Sequence, residues 1–183
     1  MVLHRGGGAV RYPARFQLVL AANPCPCGSR GPDCSCPPQA RRRYQQRLSG
    51  PLLDRIDVRV AVDPVPQADF FGDATTRETT RAAAARVAVA RSAAEERWCG
   101  TPWRLNAQVP GSALRTSRWG LARPVLSSAE SYLQRGQLSA RGFDRVLRLS
   151  WTIADLGGHL VPDVNDVAEA LYFRTGQRES WAA

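Results

Sequence analysis

Two short apolar runs in the first third of the chain have the length of β-strands. Residues 16–22 form an apolar run, interrupted by Gln17, between two prolines, which is typical of a strand buried on both faces of a parallel sheet. Residues 58–62 alternate apolar and polar positions less regularly and predict a second strand. Residues 1–15 show no periodicity and predict a loop, whereas residues 39–48 predict a short basic helix. The pattern therefore predicts an α/β part over residues 1–63.

The spacing of apolar positions becomes helical after residues 64–74, whose prolines and glycine are typical of a linker. Four later stretches repeat apolar residues every three or four positions, and they begin near residues 75, 125, 139 and 163. Ser139 and Asp163 are the predicted N-caps of the last two helices. Gly136 and the pair Gly157 and Gly158 are predicted helix ends. Residues 75–176 are therefore predicted to form an all-helical bundle.

Charge and composition narrow the classes of function. The chain of 183 residues has a formal charge of +9, and all 25 of its Lys and Arg residues are arginine. This excess favours polyanionic partners such as DNA or nucleotides, although a biased gene composition is an alternative. Without lysine the chain cannot supply the amine of a phosphate-binding P-loop. No apolar run approaches the roughly 20 residues of a membrane span and no secretory signal is evident, which predicts a cytoplasmic protein with no membrane partner.

Four of the five cysteines lie within a dozen residues. They form two close pairs, Cys25 with Cys27 and Cys34 with Cys36, across a loop of glycine and proline. Two such pairs can converge on one tetrahedral ion, and zinc is the first choice of metal. A closed four-thiolate site leaves no open coordination position, which favours a structural role. Disulfides and buried thiols are the alternatives, and a reducing cytosol disfavours the first.

Arg55 is a candidate phosphate ligand. It ends a short helical turn just before the second predicted strand. A planar guanidinium at such a rim can reach a phosphate bidentately across an interface. Spacing alone equally allows a surface arginine that pairs with Asp54 or Asp57.

Three arginines share one face of the helix that Ser139 caps: Arg141, Arg145 and Arg148. Arg141 lies in the first helical turn, where the helix dipole also favours an anion. A solvated helix face is the alternative, and it is the prediction for Arg148. A further basic run, residues 41–47, has the charge to contact a nucleic-acid backbone, with a solvated surface again as the alternative.

Five motifs occur in a fixed order along the chain. They are FQLVLAANPCPCG at residues 16–28, the pair Cys34 and Cys36, RLSGPLLDRID at 47–57, LNAQVPG at 105–111, and LSARGFDRVLR at 138–148 followed by TIADL at 152–156. In these residues the chain closely resembles the magnesium-chelatase-like AAA+ ATPases and, within them, the ComM/YifB group of competence-associated proteins. The resemblance implies that residues 1–63 are the last part of the AAA+ α/β module, with residual parallel strands. Residues 75–176 would be its helical lid, the magnesium chelatase C-terminal domain.

The resemblance also implies roles for individual residues. Asn23 matches sensor 1, which orients the hydrolytic water, and Arg55 matches the arginine finger, which acts on ATP held by the neighbouring subunit. Arg141 matches the sensor 2 arginine, which contacts the nucleotide. The four cysteines match a cysteine-rich insertion at residues 25–36.

The expected function is that of a C-terminal fragment of a ComM-like ATPase. The family's rings, hexameric by resemblance, couple hydrolysis of ATP with magnesium to DNA remodelling, here branch migration during natural transformation. Walker A and Walker B motifs are expected before the sensor 1 strand and are missing here, so a companion or upstream segment is needed for hydrolysis. The alternatives are a non-enzymatic zinc-binding module that contacts DNA or protein, and a degenerate relic.

Overall fold

The computed structural model describes residues 1–13, 16–29, 31–48, 50–67, 78–116 and 118–176. These residues fall into two units, Met1–Ser49 and Gly50–Ala183. Most of the predicted linker, from residue 68 onward, lies outside the described residues.

The first unit begins with an antiparallel hairpin in the segment that was predicted to be a loop. Strand β1 (Val2–Arg5) pairs with strand β2 (Gly8–Arg11). Gly6 and Gly7 form the turn with φ of 51° and 94°, the left-handed region that two-residue hairpin turns favour. A Gly-Gly pair between two short runs is itself a hairpin signal, so the sequence did contain the information.

The cysteine-rich loop leads into helix α1 (Pro38–Arg47), which confirms the predicted basic helix. Proline is well tolerated at the first turn because the N–H that it lacks would have no helical partner there. The hydroxyl of Tyr44, on α1, donates a hydrogen bond to the carbonyl oxygen of Asn23 at 3.1 Å. The helix is thereby connected to the residue that precedes the cysteines.

The two predicted strands are not formed in the described part of the chain. Residues 16–22 and 58–62 have no regular secondary structure, and the only strands described are those of the antiparallel hairpin. Their large apolar side chains are exposed, including Phe16, Val19 and Val62. The expectation of residual parallel strands is therefore wrong for the described residues. A buried parallel strand needs neighbouring strands for its backbone groups and cover for both faces, and the described residues supply neither.

The second unit is helical from residue 80 onward in its described part, as predicted for residues 75–176. The helices in its described residues are α2 (Gly50–Leu53), α3 (Thr80–Arg97), α4 (Gly111–Leu114), α5 (Arg123–Gln134), α6 (Ala140–Gly157) and α7 (Val164–Leu171). A short 3-10 turn (Asn106–Gln108) precedes α4, and a π-helical segment (Tyr172–Gly176) follows α7. Within the described residues, no helix combines the length and apolar character needed to cross a membrane.

Both predicted N-caps are confirmed. The Ser139 hydroxyl accepts a hydrogen bond from the Gly142 N–H at 3.0 Å, and α6 ends before Gly158, which has the left-handed φ of 76°. The Asp163 carboxylate accepts hydrogen bonds from two backbone N–H groups of α7. The N–H of Asp166 in particular lowers the pKa of Asp163. The cap's contribution to stability is therefore present at neutral pH and is lost as pH falls through the folded-state pKa.

Helix α6 is the centre of the second unit and packs against α3, α4, α5 and α7. Its apolar face is buried, as its spacing predicted, and includes Phe143, Val146 and Leu147. Trp98 at the end of α3 is 1% exposed. Its ring contacts three other tryptophans at centroid distances of 4.8 to 6.2 Å: Trp103, Trp119 and Trp151. The first turn of α6, which carries Arg141, therefore extends from a well-packed core.

Candidate functional site

The four clustered cysteines bring their sulfur atoms together. The Cys25 Sγ lies 3.1 Å from the Cys27 Sγ and 3.4 Å from the Cys34 Sγ, and the Cys27 and Cys34 sulfurs are 3.8 Å apart. With the Cys36 Sγ included, all four sulfurs lie within 4.8 Å of one another. A tetrahedral zinc ion with Zn–S bonds of about 2.3 Å needs sulfurs separated by about 3.8 Å. The cluster could therefore hold a metal ion such as zinc.

Turns in the cysteine loop bring the pairs together. The Gly28 N–H donates to the carbonyl of Cys25 at 3.0 Å, and the Cys34 N–H donates to the carbonyl of Gly31 at 3.2 Å. Both glycines have positive φ, 82° and 58°, which L-residues with side chains rarely adopt. The chain thus reverses direction between the two pairs, as the spacing predicted.

The thiols of the cluster differ in acidity. The hydrogen bond with Cys27 and, after it, burial raise the pKa of Cys25 to about 12. The same contact, together with the backbone hydrogen bond from Ser29, lowers the pKa of Cys27 to about 5. Contact with Cys27 also raises the pKa of Cys36. The lowered pKa favours the thiolate form of Cys27, and a bound dication would likewise favour the thiolate form of its ligands.

Asn23, the predicted sensor 1 residue, lies in the first unit, two residues before Cys25. Its side chain is exposed and faces Gly28, where an added Cβ would lie 3.7 Å from the Asn23 Nδ2. Arg55 and Arg141 belong to the second unit.

Arg55 follows α2 and has an exposed side chain. Its Nη1 donates a hydrogen bond to the carbonyl oxygen of Pro51 at 2.8 Å. The two carboxylates that were alternative partners are engaged elsewhere, since Asp54 pairs with Arg174 and Asp57 pairs with Arg145. The described residues therefore show no ion pair between Arg55 and either carboxylate.

Arg145 and Arg174 contact the backbone around Arg55, which the sequence pattern did not indicate. Arg145 Nη1 donates to the carbonyl oxygen of Arg55 at 2.8 Å. Arg174 donates to the carbonyl oxygens of Ile56 at 2.6 Å and Asp54 at 3.1 Å. Arg174 is distant from these partners in sequence, so the local spacing of residues does not predict the contact.

Arg141 is exposed in the first turn of α6, as predicted, one helical turn before Arg145. Arg148, which was predicted to be solvated, is half-buried, and its Nε donates to the carbonyl oxygen of Val109 at 2.7 Å. A cavity of about 490 Å³ lies beside this helix start, lined among others by Ser139, Tyr132 and Arg174.

A buried polar network connects two of the five sequence motifs. The Asp155 carboxylate accepts hydrogen bonds from Asn106 Nδ2 at 2.8 Å and from Arg97 Nη1 at 3.0 Å, and it forms an ion pair with Arg97. The Asn106 Oδ1 accepts from the Trp98 indole at 2.8 Å. The polar residues of motifs 105–111 and 152–156 therefore fasten the loop before α4 to α3 and α6.

Comparison with known families agrees with these features. Residues 77–174 match the family described as magnesium chelatase, subunit ChlI C-terminal, and residues 1–70 match magnesium chelatase, subunit ChlI. The chain therefore belongs to the magnesium chelatase ChlI-like family, and its relatives include the ComM/YifB homologues, which confirms the resemblance.

Individual relatives match almost the whole chain. An uncharacterised protein of Mycobacterium tuberculosis is 47% identical over 178 residues, which are 96% of this chain and 35% of the relative. The competence protein ComM of Haemophilus influenzae is 33% identical over 175 residues, 95% of this chain and 33% of ComM. The YifB protein of Escherichia coli is 31% identical over 177 residues, 96% of this chain and 34% of YifB. The chain thus spans about a third of the length of these relatives.

Proposed function

We propose that the chain supplies three residues of the ATP site of a ComM-like AAA+ ATPase: Asn23 as sensor 1, Arg55 as the arginine finger and Arg141 as sensor 2. The observation that carries the proposal is the combination of an exposed side chain and an anchored backbone at Arg55. Its guanidinium is exposed while its backbone carbonyl is bonded to α6 through Arg145. An arginine finger needs both properties, because it reaches a nucleotide on a neighbouring subunit and must arrive there in one orientation.

The chemistry follows from the charge that develops during phosphoryl transfer. Negative charge spreads over the oxygens of the transferred γ-phosphoryl group, and the planar guanidinium of Arg55 stabilises it by paired hydrogen bonds. Arg141 contacts the nucleotide from the first turn of α6, where the helix dipole adds positive potential. Asn23 orients the attacking water through its amide. The P-loop lysine would come from the companion or upstream segment, because this chain contains no lysine. The ligands of the magnesium ion are assigned to the same segment.

The distribution of charge supports DNA as the polymer on which the ATPase acts. Residues 1–49 contain eight arginines and one acidic residue, a formal charge of +7. Residues 50–183 contain seventeen arginines and fifteen acidic residues, a formal charge of +2. The arginines of α1 at residues 41–43 and 47 are exposed. Exposed arginines are suited to contact phosphates in exchange for released counterions. We propose branch migration within a ring of identical subunits as the activity.

A second candidate function is favoured by the same charge distribution. The basic first unit also holds the cysteine cluster, so a non-enzymatic zinc-binding module that contacts a nucleic-acid backbone would use both features. The two candidates differ in whether the residues of the second unit act on a nucleotide. The first candidate function includes the division of the chain into an α/β part at residues 1–63, a linker at 64–74 and a helical lid at 75–176.

The proposed function is tested by ATP hydrolysis with and without the segment that carries the Walker motifs. We expect the chain alone to show no turnover, and the complete ATPase, meaning this chain together with that segment, to hydrolyse ATP and move branched DNA. ATP turnover by the chain alone contradicts the assignment of roles. The second candidate is favoured if the mixture does not hydrolyse ATP and the chain alone binds DNA. The logarithm of its DNA affinity should then fall by about 0.9 per log unit of salt concentration for each phosphate contacted.

Zinc binding is a separate prediction about the four cysteines. We expect one zinc ion per chain, and we expect Cys34→Ser to weaken zinc affinity more than about tenfold. Removal of a residue that only supports a metal ligand weakens metal affinity by about tenfold or more, and removal of the ligand itself should weaken it further. Cobalt substitution followed by absorption spectroscopy measures both values. Cys99→Ser is the matched control, since Cys99 is an exposed thiol outside the cluster. Equal zinc affinity of the two serine variants would contradict a four-thiolate site.

A further inference from the structure

Arg55 belongs to a helix end whose carbonyl groups are bonded by arginines from distant parts of the second unit. Helix α2 ends at Leu53, so the carbonyl oxygens of Asp54, Arg55 and Ile56 lie in the turn beyond the helix. These three carbonyl oxygens accept hydrogen bonds from Arg145 or Arg174. The Leu53 carbonyl oxygen accepts a hydrogen bond from Arg59 Nη2 at 2.8 Å and lies 3.5 Å from Arg174 Nη1. We refer to residues 53–57 as the finger segment, and to Arg145 and Arg174 as the arginine clamp.

Arg174 is the buried member of the clamp. Its side chain is 5% exposed, and it extends from the π-helical segment after α7 toward the finger segment. One nitrogen of its guanidinium donates to the carbonyl of Ile56, and the other donates to the carbonyl and pairs with the carboxylate of Asp54. The guanidinium is planar and its donors are fixed relative to one another. These bonds therefore set both the orientation of the turn and its distance from the Arg174 side chain.

Arg145 is the member of the clamp that connects the finger segment to α6. It is 16% exposed, and its Nη1 donates to the carbonyl of Arg55 and pairs with the Asp57 carboxylate. Arg141 lies four residues earlier on the same face of α6. One rigid helix therefore carries both the proposed sensor 2 arginine and the hydrogen-bond donor to the backbone of the proposed finger.

We propose that Arg145 and Arg174 are positioning residues for Arg55, and that Arg145 transmits displacements of α6 to the finger segment. The proposal rests on the proposed function, in which Arg55 and Arg141 both act on nucleotides. When nucleotide contact at Arg141 shifts the start of α6, the Arg55 carbonyl shifts with Arg145. The occupancy of one ATP site thereby changes the placement of the arginine that serves another.

The test compares Arg55→Ala, Arg145→Ala and their combination in the complete ATPase. We expect Arg145→Ala to lower kcat about tenfold to a hundredfold with little change of KM for ATP, because a misplacement of about 1 Å has a cost of that size. Arg145→Lys restores part of the loss, since an ammonium group can still donate to the Arg55 carbonyl. The double variant is expected to be no slower than Arg55→Ala alone, because no finger is left to position.

Arg148→Ala is the control for a general loss of stability. Arg148 lies on the same helix and also donates to a backbone carbonyl, that of Val109. We expect it to lower the melting temperature as Arg145→Ala does and to leave kcat unchanged. Normal kcat for Arg145→Ala alongside an inactive Arg55→Ala overturns the clamp and leaves the proposed function standing. Normal kcat for Arg55→Ala overturns both.

A second measurement uses the chain itself and does not depend on catalysis. The amides of Asp54, Arg55 and Ile56 are hydrogen-bonded within the turn. We expect Arg174→Lys and Arg145→Ala to accelerate hydrogen exchange of these amides severalfold while exchange in the middle of α6 stays as in the wild type. Unchanged exchange of the amides of residues 54–56 would show that the clamp does not hold the finger segment.

Discussion

Replacement of Arg55 by alanine in the complete ATPase is expected to lower kcat for ATP hydrolysis by about a thousandfold or more, the range that arginine fingers contribute. The exposed guanidinium would otherwise stabilise charge on the γ-phosphoryl group of a neighbouring subunit's ATP. Under the proposed function ATP affinity should change little, because the segment that carries the P-loop would bind most of the phosphates. Steady-state turnover and equilibrium binding of a fluorescent ATP analogue separate the two quantities.

The test of action across an interface is a mixture of two inactive variants. Arg55→Ala subunits keep an intact P-loop, and subunits with a substituted P-loop lysine keep Arg55. Mixed rings then contain some interfaces in which both groups are present, so turnover should reappear on mixing. Arg91→Ala is the control, because Arg91 is exposed on α3, away from the finger segment in sequence. Turnover of Arg55→Ala close to that of Arg91→Ala would remove the finger assignment.

Features determined by neighbouring residues were predictable from the sequence. Ser139 begins α6 because its hydroxyl accepts from the N–H three residues on, and that preference belongs to serine wherever a helix starts. The cysteine cluster was equally predictable, because two close pairs separated by glycine turns have few other geometries.

Features determined by distant partners were not predictable in the same way. The run at residues 16–22 has the composition of a buried strand, but a strand exists only with a neighbour, and composition does not supply one. The ion pair between Asp54 and Arg174 joins residues 120 positions apart. Its two members each look like surface charges in the sequence, although Arg174 is buried. Solvent exposure of an arginine follows from tertiary packing, which local spacing does not encode.

The network around Asp155 is the clearest case of a polar motif whose role is structural. The side chains of Asp155 and Arg97 are 1% and 9% exposed, and Asn106 is also buried. The Arg97 guanidinium stacks on the ring of Trp151 at 4.4 Å from its centroid, which adds a cation–π contact. With Asn106 donating to Asp155 and accepting from the indole of Trp98, the charges and amide groups of this network have partners inside the core.

Replacement of Asp155 by alanine is therefore expected to lower the free energy of unfolding by about 3–5 kcal/mol, because it leaves the charge of Arg97 buried without its partner. For a chain of this size that loss lowers the Tm by roughly 6–20 °C, which calorimetry of the chain in the presence of zinc measures. Asp144→Ala is the control on the same helix: Asp144 pairs with the half-exposed Arg115, and such pairs contribute about 1 kcal/mol or less. The double variant Arg97→Met with Asp155→Ala should recover part of the lost stability, since no unpaired charge remains in the core. A loss for Asp155→Ala no larger than that for Asp144→Ala would mean that water reaches Arg97, and the network would then not be what fastens the loop before α4 to α6.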